Sequence, residues 1–228
     1  MKAIILAAGK GSRLGDPNIP KPLTQLNNGK SILGLQLEHL SGVMSLDDVI
    51  VVVGFHKEMI MEAFPDLSYV YNPSFAAENT SKSLLRAIKK VHEDLLWLNG
   101  DVVFNPSVLR KVLQEPKTSM LVNQAPVAEE EVKYALDFDG KIIEISKAVK
   151  NPVGEALGIN FMRMQDLEAL RSGLEECQDQ DYFEKGIQIA INKGLSVWPV
   201  VVDADSCTEV DFPEDLIRAN RLVSLSPS

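Results

Sequence analysis

The 228-residue sequence has only two cysteines, Cys177 and Cys207, and three histidines. No Cys-x-x-Cys pair and no histidine cluster occurs, so neither a disulfide framework nor a structural zinc site is indicated. Such sparing cysteine use suits a reducing compartment. Positive charge is also scarce: 23 Lys and Arg stand against 32 Asp and Glu, a formal net charge of −9. Phosphate-backbone and anionic-lipid binding both need clustered cations, which makes nucleic acid and membrane surfaces poor candidate partners. Long apolar runs are missing as well. None approaches the roughly 20 residues that a membrane span needs. The apolar run at residues 3–8 is too short for a signal peptide and is followed by Lys10 and Arg13. The expected location is the cytoplasm.

What is present is ordinary globular composition, 45% hydrophobic and 24% charged, in a chain long enough for one sizeable core. The runs "KAIILA" and "DDVIVVVG" are unbroken and β-branched, as in strands of a sheet covered on both faces. Between them, "SILGLQLEHLSG" offers Ser31 as an N-cap, Ile32, Leu33, Leu37 and Leu40 near helical spacing, and Gly42 as a stop. The alternation continues with a helix near 57–63, a strand at "SYVYN", a helix over 80–91, a strand at "DLLWLNGD" and a helix over 106–114. This order predicts a mainly parallel sheet with right-handed crossovers. After Thr118 the texture changes: "SMLVNQA", "VKYALDF" and "KIIEISK" are strand-like, and "DFDGK" carries a hairpin signal. An antiparallel insertion is expected there. A strand at "GEALGINFM", helices near 166–176 and 182–192, a strand at "LSVWPVVV" and a last helix from Pro213 to about Leu225, with a frayed end, complete the pattern. Trp97 and Trp198 fall in strand-like runs and read as structural.

The stretch "LAAGKGSRLG" breaks from strand into glycines. A dinucleotide fingerprint fails on it, because Leu14 takes the third glycine position and the second strand ends in Gly54 rather than an acid. A Walker loop fails too, with no Gly-Lys-Ser/Thr at a helix start. What remains is a loop that exposes backbone amides among Lys10, Ser12 and Arg13, suited to phosphate, or else a plain turn with a solvated arginine. Downstream, "IPKPL" holds Lys21 between two prolines on a stiff segment.

Together these stretches resemble the nucleotidyltransferases that activate sugar phosphates and other small phosphates with an NTP. That family has L-A-A-G-x-G-[ST]-R-[LM] followed by K-P-L; here they are Leu6-Ala7-Ala8-Gly9-Lys10-Gly11-Ser12-Arg13-Leu14 and Lys21-Pro22-Leu23. The resemblance implies a single domain with a Rossmann-like nucleotide-diphospho-sugar transferase fold, residues 1–117 serving the NTP and 118–228 the acceptor. Within the family the chain looks most like short cytidylyltransferases acting on phosphocholine, phosphonates, inositol phosphate or similar small phosphates. CTP is therefore the expected nucleotide, with UTP and dTTP as alternatives, and a homodimer is compatible with this reading.

The resemblance also assigns residues. It implies a metal-binding aspartate at the end of the fourth core strand, which is Asp101 after Gly100, and a second acidic ligand from a late segment, Asp211 in "TEVDFPEDL". Two carboxylates suit Mg²⁺, with water and triphosphate oxygens completing its shell. Helix capping is the rival role for Asp211, and Glu214 and Asp215 read as first-turn acids. Arg13 and Lys21 join Asp101 as catalytic candidates. The loop "NPSFAAENTSKS" matches the segment that meets base and ribose, which points to Asn79, Thr80 and Ser83, although Thr80 or Ser81 would also cap the helix. Lys147 matches a lysine that holds the acceptor phosphate, with Lys150 as competitor. Glu155, Asp181 and Glu184 are acceptor-side candidates, and Tyr182 beside them fits either a cationic tail or the core. A glycosyltransferase of similar architecture would show Asp-x-Asp, whereas Asp101 is followed by Val102-Val103. A non-catalytic nucleotide-binding regulator is the other alternative.

Overall fold

The computed structural model describes residues 1–11, 18–114 and 117–225. Its strands are β1 (Lys2–Ala7), β2 (Val49–Val53), β3 (Ser68–Tyr71), β4 (Leu95–Asn99), β5 (Val102–Phe104), β6 (Ser119–Val122), β7 (Lys133–Leu136), β8 (Ile142–Ser146), β9 (Gly154–Met162), β10 (Trp198–Val201) and β11 (Cys207–Glu209). Its helices are α1 (Ile32–Ser41), α2 (Lys57–Ala63), α3 (Thr80–Ile88), α4 (Ser107–Gln114), α5 (Leu167–Glu176), α6 (Phe183–Asn192) and α7 (Pro213–Leu225). The central sheet runs in the order β10-β6-β9-β4-β1-β2-β3. All neighbours pair in parallel except β9, which is antiparallel to both β4 and β6. The architecture is α/β with a mainly parallel sheet, as the sequence predicts.

Strand β1 shows why the sheet is covered twice. Successive side chains point to opposite faces, and every residue from Ala3 to Ala7 is buried. Ile4 and Leu6 join one core with Leu84 and Ile88 of α3, Leu170 and Leu174 of α5, and Phe183 and Ile187 of α6. Ala3, Ile5 and Ala7 join the other, with Leu33, Leu37 and Leu40 of α1, Ile60 of α2 and Leu109 and Val112 of α4. Helix α1 starts as expected, with Ser31 Oγ accepting from the Gly34 amide at 3.1 Å.

Three local readings differ from expectation. Ser119–Val122 belongs to the central sheet instead of the antiparallel insertion, because all four residues are buried. Only a strand covered on both faces accommodates that pattern. The insertion is the β7–β8 hairpin, turned through Asp137–Gly140 and attached to the start of β9. Helix α3 ends at Ile88, before the expected 91, and its N-cap is Asn79, whose Oδ1 accepts from the Thr80 amide at 2.8 Å. Finally, β5 and β11 form a small antiparallel ribbon with no counterpart in the sequence reading. At three residues each, they are too short to show periodicity. Helix α7 packs behind this ribbon through Ala219 and Leu222, against Val103, Val210, Ile32 and Leu35.

Candidate active site

In open α/β sheets, ligands bind beyond the carboxyl ends of the parallel strands. Here β1 and β4 pair in register, Leu6 opposite Asn99, so the chain segments leaving both strands emerge side by side. They border a cleft of about 850 Å³ lined by residues from both halves of the chain, among them Gly9, Lys21, Asp101, Glu155, Glu184 and Asp211.

The β4–β5 turn carries Asp101 and is tied down on every side. The Gly100 amide donates to the Leu6 carbonyl at 2.9 Å and the Val210 amide to the Asp101 carbonyl at 3.0 Å. From beneath, the buried Gln36 amide Nε2 donates to the Asn99 carbonyl at 2.9 Å and the Val102 carbonyl at 2.8 Å. The β5–β11 register places Glu209 opposite Val102, so continuing the antiparallel count brings Asp211 alongside Gly100. That pairing delivers the late acidic residue to the β4 turn.

Lys21 sits in a short 3-10 turn, with the buried Pro22 next to it. Its Nζ donates to Asp101 Oδ2 at 2.9 Å and also to Asp211 Oδ1. Burial opposes the Lys21 ammonium, but the two carboxylates more than offset it and raise its pKa. Gly11 has φ +58, and a Cβ there would fall 2.7 Å from Lys21 Cβ. The glycine loop and the lysine therefore pack directly on one another.

Glu209 is the residue the sequence reading missed. Its Oε1 accepts from Asn99 Nδ2 at 3.0 Å. Burial, reinforced by Asp101, pushes its carboxyl well above the usual range. The pair occupies space left by Gly158, which has φ +65 and where a Cβ would meet Glu209 Oε1 at 2.5 Å and Asn99 Nδ2 at 2.7 Å. A signal was available: Glu209 and Asp211 are two residues apart in an extended stretch and so share a face.

Of the other sequence candidates, Leu6, Ala7, Gly9, Gly11, Thr80, Gly100, Lys147, Glu155 and Glu184 border the cleft. Ala8 is buried behind it, with its carbonyl accepting from Phe55, and Lys10 is exposed. Ser12 and Arg13 lie outside the described residues. Asn79 and Ser83 are engaged elsewhere: Asn79 caps α3 and donates to the Gln180 carbonyl at 3.3 Å, and Ser83 accepts from Asn72 Nδ2 at 3.1 Å. Asp181 accepts from the Gln178 amide at 2.8 Å. These three are not among the cleft-lining residues. Lys150 is exposed and also absent from that lining. The capping role weighed for Asp211 falls to Asp215, which accepts from the Asp211 amide at 3.0 Å and the Phe212 amide at 2.8 Å and pairs with Arg218.

Among the described residues, no three His, Cys, Asp or Glu side chains are gathered into a ready metal cage. The donor chemistry nonetheless fits a hard cation. Asp101 and Asp211 converge on one positive charge, at present the Lys21 ammonium, and Asp101 Oδ1 is buried without a hydrogen-bond partner among the described residues.

Residues 3–151 match the MobA-like NTP transferase domain. The chain belongs to that family. A CMP-5'-(3-aminopropyl)phosphonate synthase from Streptomyces rubellomurinus is 31% identical over 242 residues, which cover 96% of this chain and 38% of that protein. This chain thus spans well under half the length of that relative. Solved structures agree on the fold. The CTP:phosphocholine cytidylyltransferase of Streptococcus pneumoniae superposes with a TM-score of 0.80 at 22% identity, covering 97% of this chain and 98% of that one. The inositol-1-phosphate CTP transferase of T. maritima gives 0.76 at 18% identity, covering 100% and 98%. No described helix is long and apolar enough to cross a membrane.

Proposed function

We propose that this member of the family transfers a nucleotidyl group, CMP from CTP, to a small phosphate or phosphonate and releases pyrophosphate. The observation that carries the reading is the convergence of Lys21, Asp101 and Asp211 at the carboxyl ends of β1 and β4, beside the glycine loop. The choice of CTP is supported by the cytidylyl chemistry named for the Streptomyces relative. Residues 1–117 would serve the nucleotide and 118–228 chiefly the acceptor, in a cytoplasmic enzyme that tolerates homodimerisation.

The acceptor's phosphoryl or phosphonyl oxygen attacks the α-phosphorus in line and pyrophosphate leaves. That oxygen is already anionic near neutral pH, so no side chain needs to remove a proton. Positioning and charge neutralisation supply the catalysis. Lys21 neutralises charge that develops on the transferred phosphoryl group. The amides of Gly9 and Gly11, with Lys10, Ser12 and Arg13, hold the leaving phosphates. Leu6, Ala7 and Gly100 form the floor beside the nucleotide, backed by Ala8, and Thr80, in the segment that Asn79 and Ser83 hold in place, shapes the base side. Asp101 and Asp211 would hold Mg²⁺; when bound, it supplies Lewis-acid stabilisation of phosphate charge. Lys147 anchors the acceptor's phosphorus group, and Glu155 and Glu184 shape the region around its tail.

A matrix of CTP, UTP, dTTP, ATP and GTP against small phosphates and phosphonates, read by Mg²⁺-dependent pyrophosphate release, tests the reading. The expected result is turnover that requires both substrates and is fastest with CTP. Release with no pairing would overturn it.

A further inference from the structure

Helix α1 carries a polar side chain where its packing calls for an apolar one. Ile32, Leu33, Leu35, Leu37 and Leu40 are all buried, and Gln36 among them is only 1% exposed. Its Nε2 donates to the link between β4 and β5 on both sides, to the Asn99 carbonyl at 2.9 Å and to the Val102 carbonyl at 2.8 Å. An amide nitrogen has two N–H donors, and both are used. Its Oε1, by contrast, is buried without a partner among the described residues. Leaving that oxygen dry opposes folding. What the amide contributes therefore lies in its two donors, since a filler of the same volume, methionine or leucine, would carry no such cost.

We infer that Gln36 is a positioning residue for Asp101. It does not border the cleft and acts by fixing the bend of chain on which the aspartate stands. Asp101 matters in this way as a metal ligand of the transfer reading above, on which the assignment rests.

The bend needs fixing because of where it lies. Only Gly100 and Asp101 separate the two strands, and across them the chain leaves the central sheet, where β4 runs between β1 and β9, for the ribbon with β11. The carbonyls that Gln36 bridges belong to the residues on either side of that pair. One rigid amide holding both ends sets the angle between β4 and β5, and with it the direction of the Asp101 side chain. The other ties each act at one point, the Gly100 amide on the Leu6 carbonyl and the Asp101 carbonyl on the Val210 amide. The link is also pressed against β1 and the Lys21 turn: a Cβ at Gly100 would fall 2.7 Å from the Leu6 carbonyl oxygen and 3.2 Å from Pro22 Cγ. Asp101 Oδ2 meets Lys21 Nζ at 2.9 Å, so a shift of the link moves the carboxylate off its partner. In a catalytic site, a misplacement of about 1 Å can cost about 100-fold in rate.

Gln36→Met keeps the length of the side chain and removes both donors. With the small phosphate or phosphonate that the wild type turns over fastest in the matrix above, its kcat should fall by about 10- to 100-fold, the range for residues that orient metal ligands. KM for CTP should stay as in the wild type. A second readout needs no turnover: Mn²⁺ binding in the presence of CTP, followed by the electron paramagnetic resonance signal of free Mn²⁺, should weaken by about 10- to 100-fold. Gln36→Asn, whose donors stop one methylene short of the link, should show the same losses in smaller measure and serves where Gln36→Met does not fold. Leu40→Ala, one turn along the same buried face of α1, is the control. It should lower the urea midpoint as much as Gln36→Met and leave kcat and Mn²⁺ affinity unchanged. Wild-type kcat and Mn²⁺ affinity in the Gln36 variants overturn the inference, and so does an equal loss of both in Leu40→Ala, which would make Gln36 one more packing residue. If the wild type releases pyrophosphate with no nucleotide and acceptor, the transfer reading falls and the Mn²⁺ comparison still decides the role of Gln36. A wild type that binds no Mn²⁺ overturns both.

Discussion

The two walls of the cleft treat charge in opposite ways. On the β1–β4 wall, opposite charges are already paired: Lys21 bridges Asp101 and Asp211, so the cation is held charged despite its burial. On the β9–α6 wall, carboxyls are buried with little to balance them, and Glu155 and Glu184 rise to about 7. Under the proposed transfer, a phosphate bound at the first wall would compete with the carboxylates for Lys21. Burying an uncompensated carboxyl costs stability, so the β9–α6 wall lowers the stability of the unliganded protein when its carboxyls ionise.

The largest break in this comparison should come from Lys21→Met. Removing one charge-stabilising donor typically costs about 100- to 1000-fold in turnover, which steady-state pyrophosphate release would show. With the ammonium gone, Asp101 and Asp211 face each other uncompensated, so Mg²⁺ should raise the melting temperature of the variant more than that of the wild type. Equal shifts would mean that Lys21 does not compete for the cation site.

Gly158→Ala tests the support behind the first wall. Its Cβ would enter the space of the Asn99–Glu209 pair at a strained φ. The expected loss is about 1–3 kcal/mol, as for overpacking, read from the urea midpoint.

The second wall is best examined through pH. A carboxyl whose pKa rises on folding binds its proton more tightly in the folded state. Its stabilising contribution is therefore full below about 4.5 and lost as pH rises through about 7. Stability should fall across that window, by at most about 1.4 kcal/mol per pH unit for each group. Glu184→Gln should flatten the fall and make the unliganded protein more stable than wild type at pH 8, as judged by urea midpoints at pH 5 and 8. An unchanged slope would mean that Glu184 is already ionised and balanced.

The smallest effect serves as the control. Ser31→Ala removes the α1 cap, a side chain bonded to the Gly34 amide rather than to any charged group of the cleft, and should cost about 1 kcal/mol with turnover unchanged.

Much of the framework was legible because it is local. The buried runs of β1, β2 and β4, the Ser31 cap and the Asp137–Gly140 turn each follow from residues within one segment. Lys21, Asp101 and Asp211 were nameable because each lies in a recognisable stretch, the glycine loop with Lys-Pro-Leu, a strand end, and an acid before a proline-led helix. Other features were faint or invisible locally. Glu209 had only its two-residue spacing from Asp211, and its burial beside Asn99 exists because β11 pairs with β5. Asn79 and Ser83 looked like ligand-reading polar residues, yet their side chains hold the α3 loop to Gln180 and Asn72.

By itself, then, the order of residues determined the alternation of strands and helices, the covered sheet and the glycine-lysine motif, since periodicity, capping and turn chemistry act over a few residues. Only tertiary structure decided which charges meet. Lys21 and Asp211 are 190 residues apart and touch because β11 folds back along β5. Glu184 sits one residue from the buried Phe183, but its orphaned oxygen exists only because α6 packs its first turn against the cleft. Ionisation depends on burial and on the nearest opposite charge, and both come from segments far away in the chain.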